Sequence, residues 1–361
     1  MTHHAPVVAL VESPAQLLNV LEWAYQNAAA TEPGTGRPAE RFGERLAITI
    51  LPPPEPAARV QLDRMTELAT AAGCRVSWHE ARGGRGVRLR TLRKLRPAVS
   101  SAGTVIIGDP FSGFLQLVVS IFRIRNLVVV DDGSASIRFV EIMDSGDELA
   151  RWHPSGKRTA VNRMIATRAR RRMAAGASLI GPQRPMRLFT AMPVGSHSIG
   201  IVRNTLAWTR QLNPAPALLG GSDLIGSSLV ETGVVSQQHY LHAVATMITQ
   251  QQVNRYLAHR RESNEKLLAI AALGVEVIRP GLPLELYARQ GPIAERLISF
   301  PSTVVHTLPL VLSDTRVQVL VCDIDDAWLT PGLGAVQSGS FLTSVTTSAR
   351  RTHGLSSVVP A

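Results

Sequence analysis

The chain has 361 residues, 45% of them hydrophobic and 18% charged, with a formal charge of +11 at pH 7. At roughly 100–200 residues per domain this length suits two domains, and the composition excludes a disordered, collagen-like or heptad-based chain. Cys74 and Cys322 have no metal spacing and make a poor disulfide framework, so they read as buried free thiols in a reducing cytoplasm.

The apolar run Val7–Val11 predicts a buried strand. Ser13, Pro14 and Gln16 supply an N-cap, a first-turn proline and a capping box. Leu17, Leu18, Leu21 and Tyr25 then recur at helical spacing. "RLAITIL" is a second strand, and a proline-rich turn leads into a helix around Arg59–Ala72 that Gly73 would stop. "CRVSWHE" is a third strand, followed by a basic helix near Arg88–Arg96. "GTVIIG" is a fourth, followed by a helix from about Ser112 to Phe122. "LVVVDD" then delivers two adjacent carboxylates, Asp131 and Asp132, to a turn at Gly133. Like charges at the end of a buried strand need either solvation by water or a site that uses them.

Charged and irregular sequence over Glu141–Pro185 reads as a basic helical segment and linker. A second alternating series follows, with strands near "MRLFTAM", "APALLG", "RYLAH", "VEVIR", "RLISF" and "RVQVLVCDI". Helices are expected around His239–Gln251, Glu265–Ala272 and after Ser302, with Gly274 as a helix stop. Strands alternating with helices imply α/β domains whose parallel sheets are covered on both faces. Ligands of such sheets bind outside the carboxyl ends of the strands. The expected organisation is a Rossmann-like domain with its basic linker over 1–185, a second over 186–340, and a flexible or returning tail over 341–361. Two such domains facing a cleft is the architecture of GT-B-type glycosyltransferases, shared by other enzymes and some binding proteins.

Basic residues concentrate in Arg82–Arg96, Lys157–Arg172 and the tail "ARRTH". Such fields attract nucleic acid, anionic lipid headgroups, or acidic sugar-nucleotides and glycans. No zinc finger, helix-turn-helix signature or RNA-binding aromatic motif accompanies the charge, and 5% aromatic content argues against base-stacking platforms. Nucleic acid is therefore not the expected partner. The N-terminal stretch lacks a charged n-region, which excludes an obvious signal peptide. The most apolar window, Val105–Val130, is interrupted by Asp109, Pro110, Arg123 and Arg125 and reads as no membrane span. A cytoplasmic protein with peripheral contact at the inner face of the cell membrane is the expectation.

Three segments of the second half stand beside "DDGS". In "YLAHRRESNEK", His259 follows a strand and precedes a helix. In "RPGLPLELYARQ", Glu285 sits in a proline-rich turn opening a helix. In "LISFPSTVVHTL", Ser302 and Thr303 precede an apolar helix. Hydroxyls beside the backbone N–H groups of a helix start form a phosphate site, although plain N-capping is their commoner use.

Together these segments resemble bacterial sialyltransferases of the lipooligosaccharide sialyltransferase and capsule polysialyltransferase type. "DDG" (Asp131, Asp132, Gly133) matches that family's acidic–acidic–glycine motif, and "SFPST" matches its Ser/Thr pair at the donor phosphate. "LPLE" looks like the segment whose glutamate, here Glu285, contacts the donor ribose, and "VESPAQLLN" resembles the N-terminal strand and helix. The His-Pro motif departs: His259 is followed by Arg260, and the literal His153–Pro154 lies in the linker.

The resemblance implies an inverting glycosyltransferase that moves an acidic sugar from a CMP-linked donor to a hydroxyl of a glycan or glycolipid acceptor. Asp131 would be the general base, with Asp132 orienting the turn and raising the pKa of Asp131 by like-charge repulsion. Gly133 would let the chain turn sharply where substrate approaches. His259 would meet the leaving phosphate as a general acid or a cationic donor, beside Ser302 and Thr303. No metal or other cofactor is required, since protein donors meet the phosphate charge; a carboxylate pair could also hold Mg²⁺. The alternatives are a UDP- or GDP-sugar transferase and a non-catalytic glycan- or polyanion-binding protein of the same fold.

Overall fold

The computed structural model describes residues 6–31, 42–131, 133, 135–150, 159–176, 186–330 and 335–359. The chain divides into two compact units, Met1–Trp208 and Thr209–Ala361. Asp132 and His153–Pro154 lie outside the described residues.

The first unit is built on seven parallel strands: β1 (Val7–Val11), β2 (Leu46–Ile50), β3 (Arg75–Trp78), β4 (Thr104–Ile107), β5 (Leu127–Val130), β6 (Arg187–Thr190) and β7 (Gly200–Arg203). Their order is β3-β2-β1-β4-β5-β6-β7. The unbroken apolar runs of β1, β4 and β5 follow from burial on both faces. Six helices of this unit are α1 (Pro14–Thr31), α2 (Pro56–Ala71), α3 (Arg85–Ser101), α4 (Gly113–Ile121), α5 (Ala135–Ser145) and α6 (Ala160–Ala174). At the start of α1 the Gln16 N–H donates to Ser13 Oγ at 3.2 Å, and Gln16 Oε1 accepts from Glu12 N–H at 2.7 Å. The expected capping box is thus present, reaching one residue further back.

Right-handed crossovers put helices on opposite faces when the chain winds in opposite directions along a sheet. Here Leu92 and Leu95 of α3, Leu115 and Val118 of α4, and Ala166, Ala169 and Met173 of α6 share one core with Val105, Ile107, Leu127 and Val129. These three helices therefore cover one face of the sheet. Their opposite, solvent-facing sides carry much of the basic charge.

The second unit holds six parallel strands: β8 (Leu218–Ile225), β9 (Val253–Leu257), β10 (Glu276–Ile278), β11 (Ile293–Ser299), β12 (Gln318–Cys322) and β13 (Ser356–Val358). They run in the order β10-β9-β8-β11-β12-β13. The helix α7 (Ala207–Leu212) leads in, and α8 (Gln237–Gln250), α9 (Asn264–Ala271), α10 (Leu284–Gln290), α11 (Val304–Val311) and α12 (Ala335–His353) follow. Asp223 of β8 and Arg255 of β9 form a buried two-armed pair at 2.8 and 2.5 Å, and Asp223 also accepts from Ala294 N–H of β11 at 2.9 Å. Removing one partner of such a pair costs about 3–5 kcal/mol, so the pair ties the three central strands together.

One expectation about organisation changes. Residues 187–190 were expected to open the second domain; β6 instead pairs with β5, Val128 opposite Arg187, and the first unit runs to Trp208. A parallel pair needs a long crossover, and the stretch taken as linker is that crossover, with α6 packed on α4. Of the flexible or returning tail expected over 341–361, the described part is the end of α12 and the edge strand β13, which returns to pair with β12. Cys74 and Cys322 are buried and unpaired, and burial pushes both thiols up to about 12. Among the described residues no helix is long and apolar enough to cross a membrane.

Candidate functional site

In a doubly wound sheet the chain reverses its direction of travel at one place, and the crevice there binds ligands. In the second unit the chain runs β8, β9, β10 and then crosses to β11 on the far side of β8. The switch point lies between β8 and β11, and "SFPST" follows β11 directly. Ser302 and Thr303 are half-buried. Thr303 occupies the N-cap position of α11 without making a side-chain cap bond. Ser302 Oγ lies 3.3 Å from Ser299 Oγ.

Glu285, in the first turn of α10, accepts from Thr307 Oγ1 of α11 at 2.7 Å. The expected ribose-contacting carboxylate and the expected phosphate-binding helix are thereby joined. Thr307 escaped the sequence reading, although it stands one helical turn beyond Thr303, on the same side of α11.

His259 follows β9, on the other side of β8 from β11. Its backbone N–H donates to Glu262 Oε2 at 2.6 Å, and Arg261 N–H donates to its Nδ1 at 3.3 Å. Burial, with Arg260, Arg261 and Lys266 nearby, pushes its pKa down to about 3. The ring is therefore neutral at pH 7. With Nδ1 accepting, its proton sits on Nε2. The resemblance implies a general acid or a cationic donor at this position; in this structure the ring offers a neutral N–H.

Glu262 is held from beneath. Tyr256 Oη donates to its Oε1 at 2.5 Å, Tyr240 Oη stands 2.8 Å from Tyr256 Oη, and buried Lys266 Nζ lies 2.8 Å from Glu262 Oε1. Lys266 also donates to Ser227 O at 2.9 Å and sits 3.7 Å above the Tyr240 ring. Gly226, just after β8, has room for no side chain: a Cβ there would come within 2.3 Å of Glu262 Oε2. This network was missed in the sequence. The only trace was Glu262 and Lys266 at i, i+4 spacing.

A cavity of about 240 Å³ opens beside Pro301, at the carboxyl end of β12. Asp323, Asp326, Thr343, Thr346 and Arg350 line it, and Arg350 is paired with Asp323.

In the first unit the chain runs β1, β2, β3 and returns to β4 beside β1. Glu12 and Asp109 follow these two strands, and both are buried. Burial and Asp109 raise the pKa of Glu12, while Arg82, 3.5 Å away, pulls it back. Sequence reasoning gave Glu12 no role beyond its place in "VESPAQLLN", because nothing in linear spacing pairs it with Asp109. Only the strand order does.

Asp131 follows β5, next to β4, and is 2% exposed. Its Oδ1 accepts from Ser136 Oγ at 2.5 Å; its Oδ2 accepts from Thr190 Oγ1 at 2.8 Å and Ala191 N–H at 3.2 Å. Gly133 N–H also donates to the carboxylate. Asn19 of α1 donates to the Asp131 carbonyl at 3.1 Å and accepts from Asn204 Nδ2 at 2.7 Å. Burial raises the Asp131 pKa, and these donors oppose it. The strand end is thus neither solvated nor open: the chain's own donors occupy both oxygens. Gly133 has φ +80, a conformation that favours glycine.

No protein-family model matches the chain, and no curated protein matches it. Among solved structures it is similar to an α/β-galactoside α-2,3-sialyltransferase from the luminous marine bacterium Photobacterium phosphoreum, with TM-score 0.54 and 10% identity over 99% of each chain. It is also similar to a putative UDP-N-acetylglucosamine 2-epimerase from Listeria monocytogenes, with TM-score 0.50 and 11% identity over 98% of this chain and 92% of that one. At these identities the likeness is one of fold: two Rossmann-like units in one chain, the GT-B-type fold that the alternation of strands and helices predicts.

Proposed function

We propose that the protein is an inverting glycosyltransferase that uses a nucleotide-linked sugar, and that its donor is a CMP-linked acidic sugar. The observation that carries this reading is the position of "SFPST" at the switch point of the second sheet, with Glu285 tied to the same helix. Ser302, Thr303 and the helix start would bind the donor phosphate, Glu285 the ribose, and the His259 Nε2–H the departing phosphate oxygens. No metal is needed for that charge. The acceptor hydroxyl of a glycan or glycolipid attacks the anomeric carbon, the bond to the CMP phosphate breaks, and the hydroxyl proton passes to a carboxylate.

That carboxylate comes from the "DDG" turn. Both oxygens of Asp131 are occupied, so Asp131 serves as the anchor of the turn. The general base is Asp132, the reverse of the division that the resemblance implies.

Replacing Ser302 and Thr303 together with Ala removes two donors to a charged phosphate, each worth about 1.5–3 kcal/mol. Titration calorimetry with CMP is expected to show at least a roughly tenfold loss of affinity at an unchanged melting temperature. Unchanged CMP affinity would reject the site, and preference of the parent protein for UDP or GDP over CMP would reject the donor.

A further inference from the structure

The layer formed by α3, α4 and α6 shows solvent a face of one sign. On α3, the side chains of Arg88, Arg90, Arg93, Lys94 and Arg96 are exposed. Arg123 and Arg125, in the loop after α4, are exposed as well, and so are Arg163, Arg168 and Arg171 of α6. Neither helix nor the loop between Phe122 and Asn126 contains an aspartate or glutamate. Among the described residues none of these cations has an ion-pair partner; the acidic side chains of neighbouring segments, Glu80 before α3, Glu141 of α5, and Asp147 and Glu148 before α6, lie outside these helices and the loop.

Aliphatic side chains stand among the cations. Leu89 of α3 is 48% exposed, Ile121 at the end of α4 is 49%, and Val161 and Met164 of α6 are 59% and 65%. The shared core beneath places all three helices on one side of the sheet, so these residues belong to one layer. Exposed aliphatics gain nothing against a phosphodiester backbone, whereas a bilayer surface takes both groups: cations at the headgroups and apolar side chains at the acyl boundary. Nucleic acid without aromatic stacking is held by charge alone, and the aromatic residues of these segments, Phe114 and Phe122, are buried.

We propose that this face docks the protein on a bilayer rich in anionic lipid. Each cation near such a surface adds attraction that falls off within a Debye length, about 8 Å at physiological ionic strength. Binding therefore needs the face to lie against the membrane and weakens with salt.

Co-sedimentation of the full chain with vesicles tests this. Vesicles of phosphatidylcholine with about one third phosphatidylglycerol are expected to bind it at least tenfold more tightly than pure phosphatidylcholine. Arg88→Glu/Arg93→Glu/Arg96→Glu and, separately, Arg163→Glu/Arg171→Glu are each expected to lose most of that binding at an unchanged melting temperature. Leu89→Ser/Met164→Ser keeps every charge and is expected to weaken binding several-fold and to steepen its salt dependence. This variant changes only exposed side chains, so it decides the matter if a charge-reversal variant misfolds. Equal binding to neutral and anionic vesicles, unaltered binding by the variants, or tight binding to single-stranded nucleic acid with none to vesicles would overturn the proposal.

Discussion

Asp131→Asn is expected to lower both the melting temperature and the transfer rate, whereas Asp132→Asn is expected to lower the rate alone. The Asp131 carboxylate accepts from Ser136, Thr190, Ala191 and Gly133 in a site closed to solvent. An amide of the same shape turns one acceptor into a donor facing other donors. A buried polar group left unsatisfied costs about 1–3 kcal/mol, which for a domain of this size is a fall of several degrees. The turn then loses its anchor, and transfer falls with it. Asp132→Asn removes the proposed proton acceptor, which is worth roughly 10²–10⁴ in rate. Melting curves and transfer rates of both variants decide between the two carboxylates. An Asp132→Asn protein with full activity, beside a stable but inactive Asp131→Asn protein, would return the base to Asp131.

His259→Ala is expected to slow transfer by roughly 10–100-fold through loss of one hydrogen bond to a charged group. His259→Asn, which can still donate, is expected to recover part of that loss. The neutral state of the ring makes a sharper claim about pH. A cationic His259 with an ordinary pKa near 6.5 would lose activity as pH rises through that value; with its pKa held down to about 3, the rate is expected to stay level from pH 6 to 8. The same depression has a sign in stability. Between about pH 6.5 and 3 the unfolded chain binds the His259 proton and the folded chain does not, so stability falls as pH falls through that window. His259→Asn is expected to flatten this part of the melting-temperature profile. A parent rate that dropped with an apparent pKa near 6.5, absent in His259→Asn, would contradict the neutral assignment.

The strands were legible wherever they are buried on both faces. Val7–Val11, Thr104–Ile107 and Leu127–Val130 appear as unbroken apolar runs because central parallel strands have no solvent face. Two of the four edge strands were not. Gly200–Arg203 and Ser356–Val358 are short and mostly outside the core, and their sequences carry no apolar run. The domain boundary was misplaced for a related reason. Glu141–Pro185 is basic and irregular, as linkers are, and only the pairing of β6 with β5 shows it to be a crossover.

The candidate site was legible as a set of strand ends but not as a set of contacts. His259, Glu285 and Ser302 each follow a strand of the second sheet, as the alternation of elements implied. What the side chains do there depends on neighbours distant in sequence. Thr190 and Ala191 close over Asp131 from β6, and Lys266 supports Glu262 beneath His259. No local pattern announces either. The direction of the His259 pKa shift follows from burial with Lys266 and the flanking arginines, which in the bare sequence look like an ordinary basic surface.

The protein is proposed to bind a CMP-linked acidic sugar and to transfer it to a glycan acceptor, with a carboxylate of the "DDG" turn as base. The most direct measurement is release of free CMP by the purified chain from CMP-linked acidic sugars, with and without glycan acceptors, beside the UDP- and GDP-linked sugars. Acceptor-dependent CMP release that disappears in Asp132→Asn and weakens in Ser302→Ala/Thr303→Ala is the predicted result. Turnover of a UDP- or GDP-sugar in place of the CMP donor, or CMP binding with no release of sugar from any donor, would contradict it.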